Sequence, residues 1–135
     1  EGRTSFAEWM FRGVINNTTL NLFHDVYFSP LHVDKLSLIV GRIIKDPIYG
    51  LYHCVSSDSI SKYDFGVQMA KVFRLSVSNI NRVSVESMNF QAERPKNMAL
   101  DSGKLADKFK CSIPSALDSI KLMKRQYDKN NNLLN

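Results

Sequence analysis

Between Leu20 and Val55 the chain carries two short apolar words on either side of one amphipathic repeat. Leu20-Asn21-Leu22-Phe23 and Leu51-Tyr52-His53-Cys54-Val55 read as short strands, the second of them buried. Between them, Leu36, Ile39, Val40 and Ile43 recur at i, i+3, i+4 and i+7, the spacing of one helix face. That helix is expected from Asp34, its N-cap, and ends at the punctuation of Pro47 and Gly50. Pro30 breaks the chain before it. A strand–helix–strand run of this kind suits a parallel βαβ unit, so the chain is constrained to a mixed α/β fold.

Helices dominate the remainder. Ser5-Phe6-Ala7-Glu8 is a capping-box pattern that starts a helix, with Phe6, Met10 and Val14 on one face and Asn16 and Asn17 at its end. A helix this close to the first residue reads as a piece of something larger. Ser61 and Asp64 have the spacing of a second capping box, opening a helix with Phe65, Met69, Val72 and Phe73 on one face. Arg82 to Val85 reads as a short strand, and Met98 to Leu100 as extended. Asp101 is placed to cap a short helix from Ser102 to Phe109. Pro114 starts the last helix, whose apolar face is Ala116, Ile120, Met123 and Tyr127. Residues 131–135 read as a frayed polar tail.

Composition narrows the functional classes. The 135 residues suffice for one core, and 44% hydrophobic with 23% charged residues is ordinary for a soluble globular protein. No apolar run is long enough to span a bilayer, and the N-terminus has no signal-peptide design. The formal net charge of +5 comes from dispersed cations, apart from Lys121, Lys124 and Arg125. With neither zinc-finger spacing nor a base-stacking aromatic motif, neither nucleic acid nor a membrane is an expected partner. Cys54 and Cys111 lie far apart and match no metal spacing, so they read as two reduced, buried thiols of a cytoplasmic protein.

The residues by themselves assemble no catalytic set. The six glycines are scattered, without GxGxxG, GxxGxxG or Walker A spacing. His24, His32 and His53 are not spaced as metal ligands, and His53 alternates with apolar residues as a core histidine would. His24-Asp25 reads as a polar strand end. No tyrosine has a lysine four residues on: Leu31, His53, Ser56, Val67 and Asn131 follow Tyr27, Tyr49, Tyr52, Tyr63 and Tyr127 at that spacing.

Three blocks, in order, resemble a known family. "FHDVYFSPLHVDKLSLIVGRII" looks like F-x-D-Q-x-G-x-P-T-x-x-x-D-L-A of the dTDP-4-dehydrorhamnose reductase family. "YGLYHCVSSDSISKYDFGVQMAKVF" resembles its G-x-Y-H-x-x-G-x-x-S-x-x-E-F-A strand and helix. "AERPKNMALDSGKL" resembles A-x-R-P-x-N-S-x-L-D-x-x-K-L, matching at Ala92, Arg94, Pro95, Asn97, Leu100, Asp101, Lys104 and Leu105. The resemblance covers most of residues 20 to 110. It departs where the D-Q pair becomes Asp25-Val26, the glycine becomes Phe28 and P-T becomes Pro30-Leu31.

The resemblance implies the C-terminal part of a Rossmann-like extended short-chain dehydrogenase/reductase: a helix-rich substrate domain with a few short strands over residues 1–130. It implies reduction of a nucleoside-diphosphate 4-keto-deoxysugar, as in polysaccharide biosynthesis, by hydride from NADH or NADPH with a Tyr-x-x-x-Lys proton donor. The cofactor fingerprint and that pair are expected on an N-terminal Rossmann portion absent from this chain. No catalytic residue, metal or cofactor is therefore expected on this chain alone, which is expected to be inactive. Arg94 is the expected substrate contact, because a guanidinium fork matches phosphate oxygens; an ion pair to Glu93 or Asp101 is the competing role. Asn97, Trp9 and Arg12 are further substrate-site candidates, and Pro30 is a cofactor-side candidate. Expected partners are a nucleotide sugar and the Rossmann portion, with a homodimer left open. Epimerases, dehydratases and non-catalytic regulatory subunits share this scaffold, so each remains an alternative.

Overall fold

A computed structural model describes residues 4–132. The chain divides into two compact units, residues 1–27 with 61–98 (unit 1) and residues 28–60 with 99–135 (unit 2). The elements run α1 (Phe6–Ile15), β1 (Leu20–Phe23), β2 (Tyr27–Phe28), α2 (Val33–Lys45), β3 (Ile60–Ser61), α3 (Lys62–Phe73), β4 (Ile80–Val83), β5 (Asn97–Met98), α4 (Gly103–Phe109) and α5 (Ala116–Asn132). A single 3-10 turn, Val85–Ser87, follows β4.

Unit 1 is a parallel strand pair packed against two helices. Leu20, Asn21, Leu22 and Phe23 of β1 stand opposite Ile80, Asn81, Arg82 and Val83 of β4. Leu20 and Leu22 alternate inward and are almost wholly buried with Met10 of α1 and Met69 of α3. Two glycines allow that approach. A Cβ on Gly13 would sit 2.6 Å from Leu20 Cδ2, and one on Gly66 would sit 2.3 Å from Leu22 Cδ1. Helix α1 is capped by the Ser5 hydroxyl, which accepts from Glu8 N at 3.2 Å. It ends where Asn17 takes a left-handed φ of 54°, letting Thr18 N donate to Gly13 O. Helix α3 is capped by Ser61 as expected, with Asp64 N donating to Ser61 Oγ; the Asp64 carboxylate closes the cap by accepting from that hydroxyl instead of from the Ser61 amide. Lys62 N donates to Val26 O, and Tyr27 N donates to Lys96 O, so β2 lies between β3 and β5.

Unit 2 has a smaller core. Leu105, Phe109 and Ile113 are buried, with Ile39, Ile43, Tyr52, Cys54 and Cys111 packed half-buried around them. Helix α5 begins on a capping box the sequence reading passed over: Asp118 N donates to Ser115 Oγ, and Ser115 N donates to Asp118 Oδ2. Pro114 precedes this helix by two residues instead of starting it. Ala116 and Ile120 are buried as the periodicity predicts, Met123 is half-buried, and Tyr127 is exposed.

Several sequence expectations are corrected. Asp34 lies in the first turn of α2; the cap is His32, whose Nδ1 accepts from Asp34 N at 3.2 Å. Leu51–Val55 has no strand assignment, so the parallel partner of β1 is β4, and the crossover unit is wider than the one read from residues 20 to 55. The strand expected at Arg82–Val85 is Ile80–Val83, because Ser84 caps the 3-10 turn through its hydroxyl. The two cysteines are free but half-buried. Helix α5 includes Asn131 and Asn132; the rest of the tail, residues 133–135, lies outside the described residues.

Candidate functional site

Unit 1 carries a cavity of about 310 Å³ lined by Phe23, Val26, Lys62, Val85, Phe90, Arg94, Pro95 and Met98. An adjoining cavity of similar size shares Val85, Phe90, Arg94 and Pro95 and adds Glu86, Glu93 and Lys96. Phe23 is the last residue of β1, and Val85 follows the end of β4. The cavity thus opens at the carboxyl ends of the parallel strands, where α/β sheets hold their ligands. Asp25 ties these two strand ends together. Its carboxylate accepts from Ser84 Oγ at 2.6 Å and from Val85 N at 2.9 Å. The Ser84 hydroxyl, helped by the Val85 amide and opposed by burial, holds the Asp25 carboxyl below its ordinary value.

Three cations surround the opening in different states. Lys96 is paired with Glu86, and its Nζ lies 3.9 Å from Asp25 Oδ2. The Glu86 hydrogen bond raises its pKa above the ordinary lysine value. Arg94 is exposed, with its guanidinium carbon 5.3 Å from the Phe90 ring centroid, in cation–π geometry. Phe90 in turn meets Phe23 edge-on, with centroids 6.1 Å apart. Lys62 Nζ lies 5.1 Å from the Phe6 centroid and 5.9 Å from that of Phe23. Burial first, and the positive charge of Arg94 second, push the Lys62 pKa below its ordinary value. Among the described residues, neither Lys62 nor Arg94 has an ion pair.

The residues singled out from the sequence are distributed unevenly. Arg94 lines both cavities. Asn97 is exposed in β5, one residue before the cavity-lining Met98. Trp9 and Arg12 lie on α1, outside the residues lining either cavity. The Trp9 ring stacks on Phe6 at 5.9 Å, and Arg12 is paired with Glu8 at 2.7 Å. Pro30 belongs to unit 2. Asp101 accepts from Gly103 N at 2.6 Å, one position ahead of the nominal cap Ser102, so its helix-starting role holds with a shifted register. Sequence reading missed Lys62, Phe23, Phe90 and the bracing role of Asp25. One signal for Lys62 was available: a lysine directly after a Ser-x-x-Asp cap sits at the positive end of a helix, against the dipole.

Gly13 and Gly66 are consumed by packing against Leu20 and Leu22, and a Cβ on Gly41 would meet nothing within 4 Å. The phosphate-approach chemistry of a dinucleotide site is therefore not supplied by these positions. Among the described residues no cluster of His, Cys, Asp and Glu could hold a metal, and no helix is long and apolar enough to cross a membrane.

The chain matches the family described as the RmlD substrate binding domain over residues 1–128. It is 25% identical over 129 residues to the dTDP-4-dehydrorhamnose reductase of Escherichia coli K12, covering 88% of this chain and 43% of that protein. It is 32% identical over 95 residues to methionine adenosyltransferase 2 subunit beta of Xenopus laevis, covering 67% of this chain and 28% of that protein. Its fold is similar to the dTDP-4-dehydrorhamnose reductase of Bacillus anthracis solved with NADP, with a TM-score of 0.83 at 22% identity, over 93% of this chain and 44% of that one. The chain spans less than half the length of each of these relatives. With the α/β architecture, the Arg94–Pro95 corner and the cavity at the strand ends, these matches place the chain in the RmlD substrate-binding domain family.

Proposed function

We propose that this chain is the nucleotide-sugar-binding part of an NAD(P)-dependent, dTDP-4-dehydrorhamnose reductase-like protein acting in deoxysugar biosynthesis in the cytoplasm. The observation that carries this reading is the open aromatic cavity of unit 1, with Arg94 stacked on its wall and free of any described carboxylate. A guanidinium held by a ring face keeps its N–H fork available, and a diphosphate offers the oxygens that fork fits. Arg94 is the diphosphate contact. Asn97 binds at the same edge; Trp9 and Arg12, which line neither cavity, would touch only a part of the ligand extending beyond it.

The nicotinamide cofactor would supply hydride. It and the proton donor belong to a further Rossmann portion of the polypeptide, since the chain carries neither a Tyr-x-x-x-Lys pair nor a glycine-rich fingerprint. Helix α2 supports such a portion: none of its 13 residues is buried, and Val33, Leu38, Val40 and Ile44 expose apolar surface that this added part would cover. The chain alone is then expected to bind nucleotide sugar without reducing it; measurable reductase turnover by the 135-residue chain would refute this division of labour.

Titration calorimetry with dTDP-rhamnose tests the binding reading. Wild type should bind, and Arg94→Ala should bind at least tenfold more weakly, at about 1.4 kcal/mol per tenfold, with an unchanged circular dichroism spectrum. Equal binding by both proteins would return Arg94 to a structural role. A second reading, a non-catalytic regulatory module on the same scaffold, is favoured by the 32% identity to a protein named as a subunit of a methionine adenosyltransferase. A catalytic Tyr-x-x-x-Lys in the longer polypeptide decides for the enzyme, and its absence for the module.

A further inference from the structure

The cavity of unit 1 holds a second cation that the family resemblance does not assign. Lys62 falls at an unspecified position of the S-x-x-E-F pattern, directly after Ser61. It is the first residue of α3, where the helix dipole already presents positive potential. Its backbone is pinned by the hydrogen bond from its N–H to Val26 O, and its Nζ stands between the rings of Phe6 and Phe23. Arg94 shares the cavity lining, and after burial its positive charge is the second cause that disfavours charging of Lys62. Lys62 and Arg94 line one cavity without an ion pair to any described residue, while Lys96 nearby is partnered by Glu86 and Asp25. Such an arrangement destabilises the empty chain, and an anion relieves it.

We infer that Lys62 is a second phosphate contact, sharing the Phe23–Phe90 cavity with the Arg94 fork, so that the site takes a diphosphate in preference to a single phosphate. The fork grips one phosphoryl group bidentately; the ammonium, a compact point charge, meets the other. The ring faces of Phe23 and Phe90 take the apolar surface of the attached organic groups. This inference rests on the reading of the cavity as a nucleotide-sugar site.

The test is titration of the 135-residue chain with dTDP, dTMP and thymidine, using wild type, Lys62→Met, Lys62→Arg and Arg94→Ala. Thermal melting confirms that each variant is folded. Lys62→Met should weaken dTDP about tenfold or more and dTMP by less than threefold, since only the second phosphate loses its partner. Lys62→Arg should keep most of the dTDP affinity, which a purely structural role of the aliphatic stem would not require. If Lys62→Met binds dTDP as wild type does while Arg94→Ala has lost it, this inference fails and the Arg94 reading survives. An equal loss for dTDP and dTMP would make Lys62 a general anion contact and overturn the diphosphate preference. If wild type binds none of the three, both readings fall.

Discussion

The two units bury their helices to different degrees. In unit 1, α3 buries Phe65, Gly66, Met69, Ala70 and Phe73 in its own 12 residues. In unit 2, α2 is one residue longer; its repeat positions Ile39 and Ile43 pack only half-buried on the Leu105, Phe109 and Ile113 core, and none of its residues is fully buried. Periodicity is the same kind of signal in both, but a stripe is buried only when something covers it. In unit 1 the cover is the β1–β4 pair, and the strand ends also hold the cavity. In unit 2, Leu51–Val55 forms no strand, and Tyr49 and Leu51 are exposed. Unit 1 carries the cavity at its strand ends, while α2 of unit 2 leaves Val33, Leu38, Val40 and Ile44 exposed.

Four substitutions break or sharpen this contrast, and chemical denaturation of the 135-residue chain reads each of them. The largest effect is expected for Leu22→Ala. Leu22 is 2% exposed and fills the space over Gly66, so its loss should cost about 3 kcal/mol. Next come two matched glycines. Gly66→Ala should destabilise by about 1–3 kcal/mol, because its Cβ meets Leu22 at 2.3 Å and Met10 Sδ at 3.0 Å. Gly41→Ala, in α2 with nothing within 4 Å, should instead stabilise by about 0.5–1 kcal/mol. The same sign for both would show that the units are packed alike. The smallest effect is expected for Ile44→Lys, at 74% exposure: within about 0.5 kcal/mol in this chain. A larger cost in a longer polypeptide would show that α2 is covered there.

The pH dependence probes the strand-end brace directly. The Asp25 pKa is depressed in the folded chain, so at neutral pH its ionised form contributes stability. That contribution is complete above the ordinary aspartate value of 3.8 and is lost as the pH falls through the lower folded value. Melting of wild type and Asp25→Asn between pH 2 and pH 5 (a range of about three units around the unperturbed carboxylate) should show the difference between them narrowing toward acid. A constant difference would mean that charge is not what holds Ser84 and Val85.

Much of the scaffold was legible because its signals are local. Ser5 and Ser61 each announce a helix start through a hydroxyl that reaches an amide three residues on, and the structure keeps both. Ser115 and Asp118 carried the same signal, obscured by the proline before them. The Arg94–Pro95 corner was legible through its Ala-x-Arg-Pro-x-Asn frame. Phe23, Phe90 and Lys62 were not, because residues 67 positions apart, such as Phe23 and Phe90, meet only after β1 has found β4.

The sequence by itself determined the helices, the Ser5 and Ser61 caps, the first strand and the family, since each depends on neighbours within a turn or on a linear motif. Only the tertiary structure decided which strand pairs with β1, which apolar stripes are covered, and that Lys62 and Arg94 share one cavity. Those are matters of long-range pairing and of charge brought together across the fold, and chain spacing records neither.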